Sequence, residues 1–241
     1  MRPQKETVVI INLYPYKETS KLVTFLGSVR GKFSGIVQGA ARLKGKWGGK
    51  LDLFCYGEVT FTAKQDAGLV TVTDFSSEEC FYPIRESLEK LTLACYFAEI
   101  VNKVSQAEPQ QLFVHFLQSL YYLKECSEFP LLRVYFEANM FNLLGIFPTL
   151  DSCIECGNKL SSSKLFFSAD SGGEFCRLCD VGVKTTLFNR ANIHKLLELA
   201  SLQLSDLTNY QLTKSQLAEI STFCCRYREF HLGSDFKCLG E

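Results

Sequence analysis

With 241 residues the chain exceeds one ordinary domain, and its 26 Lys and Arg balance 26 Asp and Glu to a formal net charge of zero, so two compact units with a small extra module fit the length. A hydrophobic fraction of 46% suits a globular core, no apolar run is long enough to cross a bilayer, and Met1 to Glu6 is polar, so neither a membrane span nor a secretory leader is expected. Eleven cysteines, an odd number, without an export signal point to reduced thiols in the cytosol, with Cys55 and Cys95 read as small buried hydrophobes inside apolar patterns.

From Thr7 to about Phe75 the sequence reads as β structure, with β-branched runs separated by glycine and lysine. Five strands are predicted, at 7–16, 21–28, 33–40, 51–63 and 68–75, with Glu58 to Thr62 alternating as a half-buried strand should. Five short strands in about seventy residues suit a small closed barrel, either an OB-fold or an SH3-like barrel. The bases are concentrated here: residues 1–50 carry ten against Glu6 and Glu18, whereas 51–80 carry six acids against Lys64.

From Tyr82 the period changes to three and four. Ile84, Leu88, Leu91, Cys95 and Ala98 predict one helical face, and a second helix follows Pro109 with Phe113, Phe116, Leu117 and Leu120. A third, about 130–144, carries Leu132, Phe136, Met140 and Leu143 and stops at Gly145. Two more helices follow the cysteine module, the last with Leu217, Ile220, Cys224, Tyr227 and His231 on one stripe. The expected organisation is α+β and multidomain: a barrel at 1–79, a helical domain at 80–149, a cysteine ribbon at 150–185 and terminal helices at 186–241 that pack on the helical domain.

Cys153-x2-Cys156 and Cys176-x2-Cys179 lie nineteen residues apart, the spacing of a zinc ribbon. Each doublet makes a tight turn that aims two sulfurs at one point, and four thiolates complete a tetrahedral Zn²⁺ with no open position, so a single structural ion is predicted. Gly157 suits the positive φ of a knuckle, and Phe166-Phe167 with Gly172-Gly173 predicts a hairpin between the doublets. Four thiols without metal, two disulfides, or a thioredoxin-like redox pair are the alternatives; the last lacks its βαβ setting.

The segment Gly39 to Lys50 interleaves glycines with Arg42, Lys44 and Lys46 around Trp47. A cationic loop beside a small barrel suits a nucleic-acid backbone, with Lys32, Arg42, Lys44, Lys46 and Lys50 neutralising phosphates and Trp47 stacking on an unpaired base. A merely solvated loop is the plain alternative. Tyr14, Tyr16, Phe33, Phe54 and Tyr56 offer further rings, about one in three of which belongs on the ligand side when one strand face is core. The loop is not a P-loop, since five residues separate Gly39 from Gly45 and Trp47 stands where Ser or Thr is needed. His115, His194 and His231 all lie in helical patterns, so no catalytic residues are assigned and no enzyme is expected.

Taken in order, Val8-Val9-Ile10 through Tyr16-Lys17-Glu18-Thr19-Ser20-Lys21, Gly31-Lys32, Gly39-Ala40-Ala41-Arg42, Arg133-Val134-Tyr135-Phe136-Glu137, Leu143-Leu144-Gly145-Ile146-Phe147-Pro148 and Cys153-Ile154-Glu155-Cys156-Gly157 resemble the RecO family of bacterial DNA repair proteins across nearly the whole chain. The resemblance implies an N-terminal OB domain, a central helical domain and a zinc-binding region. It also implies a cytoplasmic, nucleoid-associated mediator that binds single- and double-stranded DNA, anneals complementary strands and works with RecR to help RecA displace single-strand-binding protein (SSB). The family's SSB contact is an acidic, apolar C-terminal tail in a groove of the helical domain, for which Lys103, Lys124 and Arg133 are candidates here. Where the family's basic loop often carries a Lys-Ser-Arg-like triplet, this chain has Lys44-Gly45-Lys46; some members lack complete zinc ligands, and this one keeps all four. A zinc-ribbon adaptor making protein contacts in transcription or translation is the alternative reading.

Overall fold

A computed structural model of the chain describes residues 2–42, 46–47, 50–63, 68–104, 107–234 and 236. Two compact units emerge, residues 1–125 and 126–241. The first three helices therefore cluster with the barrel, and the fourth clusters with the cysteine ribbon and the terminal helices.

The barrel consists of β1 (Gln4–Tyr16), β2 (Ser20–Gly27), β3 (Gly31–Val37), β4 (Tyr56–Thr62) and β5 (Leu69–Glu79). It closes in the order β1-β2-β3-β5-β4 with β4 returning to β1; only β3 and β5 run parallel. That is the connectivity of an OB-fold rather than an SH3-like barrel. Alternation supplies the core: Val8, Ile10, Val23, Phe25, Val37, Val59, Phe61, Val72 and Phe75 point inward. Gly35 is needed where the parallel pair closes, because a Cβ there would lie 2.7 Å from Val72 Cγ2.

Strand four is shorter than the predicted 51–63. Phe54, at φ 65, turns the chain inward, and its N–H donates to Ile10 O at 2.8 Å while Cys55 O accepts from Ile10 N at 3.0 Å, beside the bulge in β1. Those bonds commit residues 54–55 to the bulge instead of the β4–β5 ladder. Cys55 also departs from the expected lone thiol: it is buried but bonded to Cys80, which sits just past the end of β5. Two positions 25 residues apart are brought together by strand register.

The helices of the first unit are α1 (Tyr82–Arg85), α2 (Leu88–Lys103) and α3 (Pro109–Glu125). Where one continuous stripe from Ile84 to Ala98 is predicted, Ser87 accepts from Lys90 N as an N-cap and starts a new helix. The phase is reset there: Leu88 is 80% exposed and Leu91 and Cys95 are half-buried, whereas α2 buries Leu93, Ala94, Phe97, Ile100 and Val101 along with the predicted Ala98. The face predicted for α3 holds, with Phe113, Phe116 and Leu120 buried.

Glu79 secures the turn between barrel and helices. One of its oxygens accepts from Cys80 N (3.0 Å) and Phe81 N (2.8 Å), and the other pairs with Lys124 Nζ at 2.9 Å. The bond to Lys124, with help from those N–H groups, holds the Glu79 carboxyl below its ordinary 4.5. A depressed folded value contributes stability above the unfolded pKa and loses it as pH falls through the folded one. Glu79→Ala should therefore cost about 1–3 kcal/mol at pH 7, with the gap from the parent narrowing as pH drops below 4.5. Urea midpoints followed by Trp47 fluorescence check both parts.

In the second unit α4 (Phe129–Leu143) is buried on most sides and lies against α5 (Arg190–Ser201) and α6 (Lys214–Leu232). A three-stranded sheet in the order β7-β6-β8 joins them, built from β6 (Lys164–Ser168), β7 (Gly173–Phe175) and β8 (Thr186–Asn189). The predicted hairpin between the doublets is the β6–β7 pair. Phe141, Phe167, Phe188, Phe223 and Tyr227 form a connected ring cluster, with Phe167 and Phe223 centroids 4.5 Å apart. Glu137, fully buried, pairs with Arg228 at 3.2 Å. Among the described residues no helix is long and apolar enough to cross a membrane.

Candidate nucleic-acid interface and metal centre

The outward face of β1-β2-β3 is organised in rows set by strand register. Val9, Leu26 and Lys32 form one row, then Asn12, Thr24 and Ser34, then Tyr14, Leu22 and Ile36. The first row lies under helices: Val9 and Leu26 are fully buried, and α2 and α3 contact β1, β2 and β3. In the remaining rows Asn12, Thr24, Ser34, Leu22 and Ile36 are half-buried and Tyr14 is exposed. Tyr14 is 53% exposed, with its hydroxyl accepting from Asn12 Nδ2 at 2.7 Å.

Beyond Tyr14 the face runs into a depression of about 410 Å³ lined by Tyr16, Lys17, Ile36, Gln38 and Arg42 among others. Lys17 lies over the Tyr16 ring at 5.4 Å, and Arg42 is exposed, its N–H donating to Gly39 O. Aromatic rings and cations thus meet on one uncovered strand face. Of the five rings named from sequence, Tyr14 is the exposed one; Phe54 is buried, Phe33 stacks on Phe25 in the core, and Tyr56 faces Phe113.

The six residues expected to hold nucleic acid separate into three groups. Arg42 and Lys50 are exposed, and Lys44 lies outside the described residues. Lys46 and Lys32 are engaged within the protein. Lys46 pairs with Asp74 at 3.2 Å and donates to Thr73 O. Lys32 donates to the carbonyls of Val101, Asn102 and Val104 at the end of α2, where desolvation lowers its pKa. The carbonyl end of a helix attracts a cation, and this one's ammonium has its donors turned inward although its stem stays exposed.

Trp47 corrects the expectation most. Only 7% exposed, it belongs to the barrel core and donates from Nε1 to Gln38 O at 2.9 Å. A large ring gains more by closing the barrel than by standing in water, and its one polar atom finds a partner inside. Lys17, by contrast, lines the depression without having been singled out as a contact, because an isolated lysine in a turn carries no local signal.

The cysteine module converges as its spacing predicts. Cys153, Cys156, Cys176 and Cys179 place their sulfurs within 4.8 Å of one another, with Cys156 and Cys176 Sγ 3.9 Å apart. Thiolates about 2.3 Å from a tetrahedral Zn²⁺ lie about 3.8 Å apart, so the donor set fits that ion with little contraction. Each doublet is closed by backbone bonds, Gly157 N to Cys153 O at 2.8 Å and Asp180 N to Cys176 O at 3.0 Å, and Gly157 takes φ 73.

Burial raises the Cys153 thiol, but backbone N–H groups of Cys156, Cys176 and Glu155 aimed at its sulfur outweigh that and bring it down to about 6. Cys179, hydrogen-bonded to Cys176, is pushed up to about 12. The knuckles thus already stabilise negative charge on one sulfur.

Behind the knuckles Arg190 clamps both arms. It donates to both oxygens of Glu174, to Asp151 at 3.1 Å and to Ser162 O at 2.6 Å. Asp151 precedes the first doublet and Glu174 the second, and Ile154 N bonds Glu174 O at 2.9 Å. This clamp was not read from sequence. Of the groove candidates, Lys124 pairs with Glu79 and Arg133 lies 3.5 Å from Glu137, while Lys103 ends α2. Lys103 and Lys124 belong to the first unit and Arg133 to the second.

Comparison with known proteins finds matches along nearly the whole chain. Residues 1–81 match the family described as Recombination protein O N terminal, and residues 85–239 match Recombination protein O C terminal. The DNA repair protein RecO of Acetivibrio thermocellus is 30% identical over 240 residues, 98% of this chain and 94% of the relative. Those of Desulforamulus reducens and Halalkalibacterium halodurans are 26% and 28% identical, over 98% and 95% of this chain and 93% and 90% of the relatives. A closed five-stranded barrel, the helices after it, a four-cysteine cluster and family matches spanning nearly all residues lead to one conclusion: the chain belongs to the RecO family of DNA repair proteins.

Proposed function

We propose that this chain is a non-enzymatic recombination mediator in the bacterial cytoplasm. It holds single- and double-stranded DNA on the barrel, anneals complementary strands, and works with RecR to help RecA load where SSB coats the strand. The observation that carries the reading is the uncovered face of β1-β2-β3, where the exposed Tyr14 ring adjoins a depression bordered by Lys17 and Arg42. Cations neutralise phosphate and a ring stacks on any base, so the grip is indifferent to sequence, as annealing requires. We place Arg42, Lys44 and Lys50 in this interface together with Lys17 and Tyr14; Lys32, Lys46 and Trp47 serve the fold of the free protein.

The four cysteines would hold one Zn²⁺, which when bound supplies a fixed tetrahedral crosslink and no open coordination position. Leu178 and Val181, 87% and 85% exposed at the second knuckle, favour a protein contact there, the second reading. A mediator needs such contacts as well.

Annealing of complementary oligonucleotides, bare and SSB-coated, tests the proposal. Combined Lys17→Ala, Arg42→Ala and Lys50→Ala changes should flatten the salt dependence of single-strand binding by about 0.7 log units for each phosphate that is no longer neutralised. Tyr14→Ala should weaken binding by about 1–3 kcal/mol with an unchanged salt slope. An unaltered slope in the triple variant removes this face from the mechanism, and a protein that ignores oligonucleotides in dilute buffer leaves the adaptor reading in its place.

A further inference from the structure

Cys55 and Cys80 face each other one position beyond the Tyr56–Glu79 pair of the β4–β5 ladder, Cα atoms 4.0 Å apart, and are bonded through their sulfurs. Three independent features mark this junction. Both neighbouring phenylalanines, Phe54 and Phe81, are fully buried yet left-handed, at φ 65 and 45. Bulky side chains rarely accept that backbone, and such strain persists only where surrounding contacts enforce it.

Arg85 brings a guanidinium to the same spot. Its Nη2 lies 3.9 Å from Cys55 Sγ and donates to Cys80 O, Nη1 pairs with Asp52, and the buried Nε has no hydrogen-bond partner among the described residues. A disulfide offers that guanidinium only a weak acceptor, whereas a thiolate offers a full charge. The third feature is position: residues 50–55 lead from the basic segment into the barrel, and Cys55 is their last residue.

We propose that Cys55 and Cys80 are a reversible dithiol–disulfide couple whose oxidation adds a covalent tie between the segment 50–55 and the end of β5, and whose reduction removes that tie. The oxidant is a low-molecular-weight disulfide such as oxidised glutathione. The thiolate of Cys80, the more accessible of the two at 8% exposed against 0%, attacks one sulfur of that disulfide, forming a mixed disulfide and expelling one thiolate. Cys55, with Arg85 Nη2 3.9 Å from its sulfur to offset the charge gained as its proton leaves, then attacks Cys80 Sγ and expels the second. Two electrons pass from the protein to the disulfide, and the two thiol protons leave with the released thiols. Reduced glutathione reverses both steps. Because Lys50 lies in this segment, the oxidised form presents it in a more fixed position and holds oligonucleotides more tightly; this last link rests on the proposed nucleic-acid interface.

The test uses the 241-residue chain with zinc added, equilibrated across ratios of reduced to oxidised glutathione, followed by alkylation and site-resolved mass spectrometry. Cys55 and Cys80 should become protected together, and peptides covering 50–56 should exchange amide hydrogen roughly tenfold more slowly when they do. Cys80→Ser should abolish both responses. Arg85→Met should slow oxidation at pH 7 by about tenfold, with the difference vanishing where hydroxide ionises the thiols unaided. Alkylation of both cysteines at every ratio, or protection without change in exchange, overturns the couple, and unslowed oxidation of Arg85→Met removes Arg85 from it. Equal oligonucleotide affinity of the two forms overturns the link to binding. Failure of either form to bind at all defeats the nucleic-acid reading instead, with the alkylation and exchange results still deciding the couple.

Discussion

Replacing Arg190 with methionine is expected to lower the stability of the second unit by about 3–5 kcal/mol, because it leaves a buried carboxylate without its counter-charge. Glu174 is 1% exposed, and both its oxygens accept from the Arg190 guanidinium. The double variant Arg190→Met with Glu174→Met should recover much of that stability, since apolar groups of similar volume replace a buried pair at little net cost. The whole effect should appear in segments 150–201. Hydrogen exchange in rising urea, resolved by segment, reads the second unit, and the lone tryptophan, Trp47, sits in the barrel core and reports on the first. A fluorescence midpoint shifted as much as the exchange midpoint, or a single variant as stable as the parent, contradicts the argument.

The features legible in the sequence are those that depend on near neighbours. The β-branched run Val8 to Ile10 and the alternation over Glu58 to Thr62 announce strands, and the four cysteines announce their site because each doublet closes its own turn before the two meet. Features set by distant register were hidden. The bond between Cys55 and Cys80 depends on how β4 pairs with β5, and nothing near either cysteine marks the other.

Trp47 misled because glycines and bases around it describe the loop's solvent exposure but not the ring's destination, which Gln38 O and the open barrel end decide. Lys32 and Lys46 show the same limit for charge. Local counting locates a basic segment, whereas the helix end and the carboxylate that occupy particular ammoniums come from elsewhere in the chain. Tyr14 is exposed while Val9 and Leu26 on the same face are fully buried, with α2 and α3 packed against β1, β2 and β3, a difference that strand alternation alone does not contain.

Removing Zn²⁺ should loosen the two knuckles while leaving the sheet that joins them in place. In free-standing zinc fingers the metal supplies nearly all the folding energy, about 10–16 kcal/mol in apparent terms, and chelation unfolds them. Here β6 and β8 are held by Phe167 and Phe188 against Phe223, and Arg190 ties both arms to α5 independently of any sulfur. Chelation should therefore release one metal per chain and expose four reactive thiols. Fast exchange should be confined to residues near 153–157 and 176–182, with β6 and β8 still protected. The barrel, which shares none of these contacts, should keep its Trp47 fluorescence and the single-strand binding proposed for it. Arg190→Met removes the second support, so in that variant chelation should melt the sheet as well. A chelated parent whose β6 and β8 exchange as fast as its knuckles shows that the clamp and the ring cluster do not suffice; a chain that yields no metal refutes the four-thiolate site.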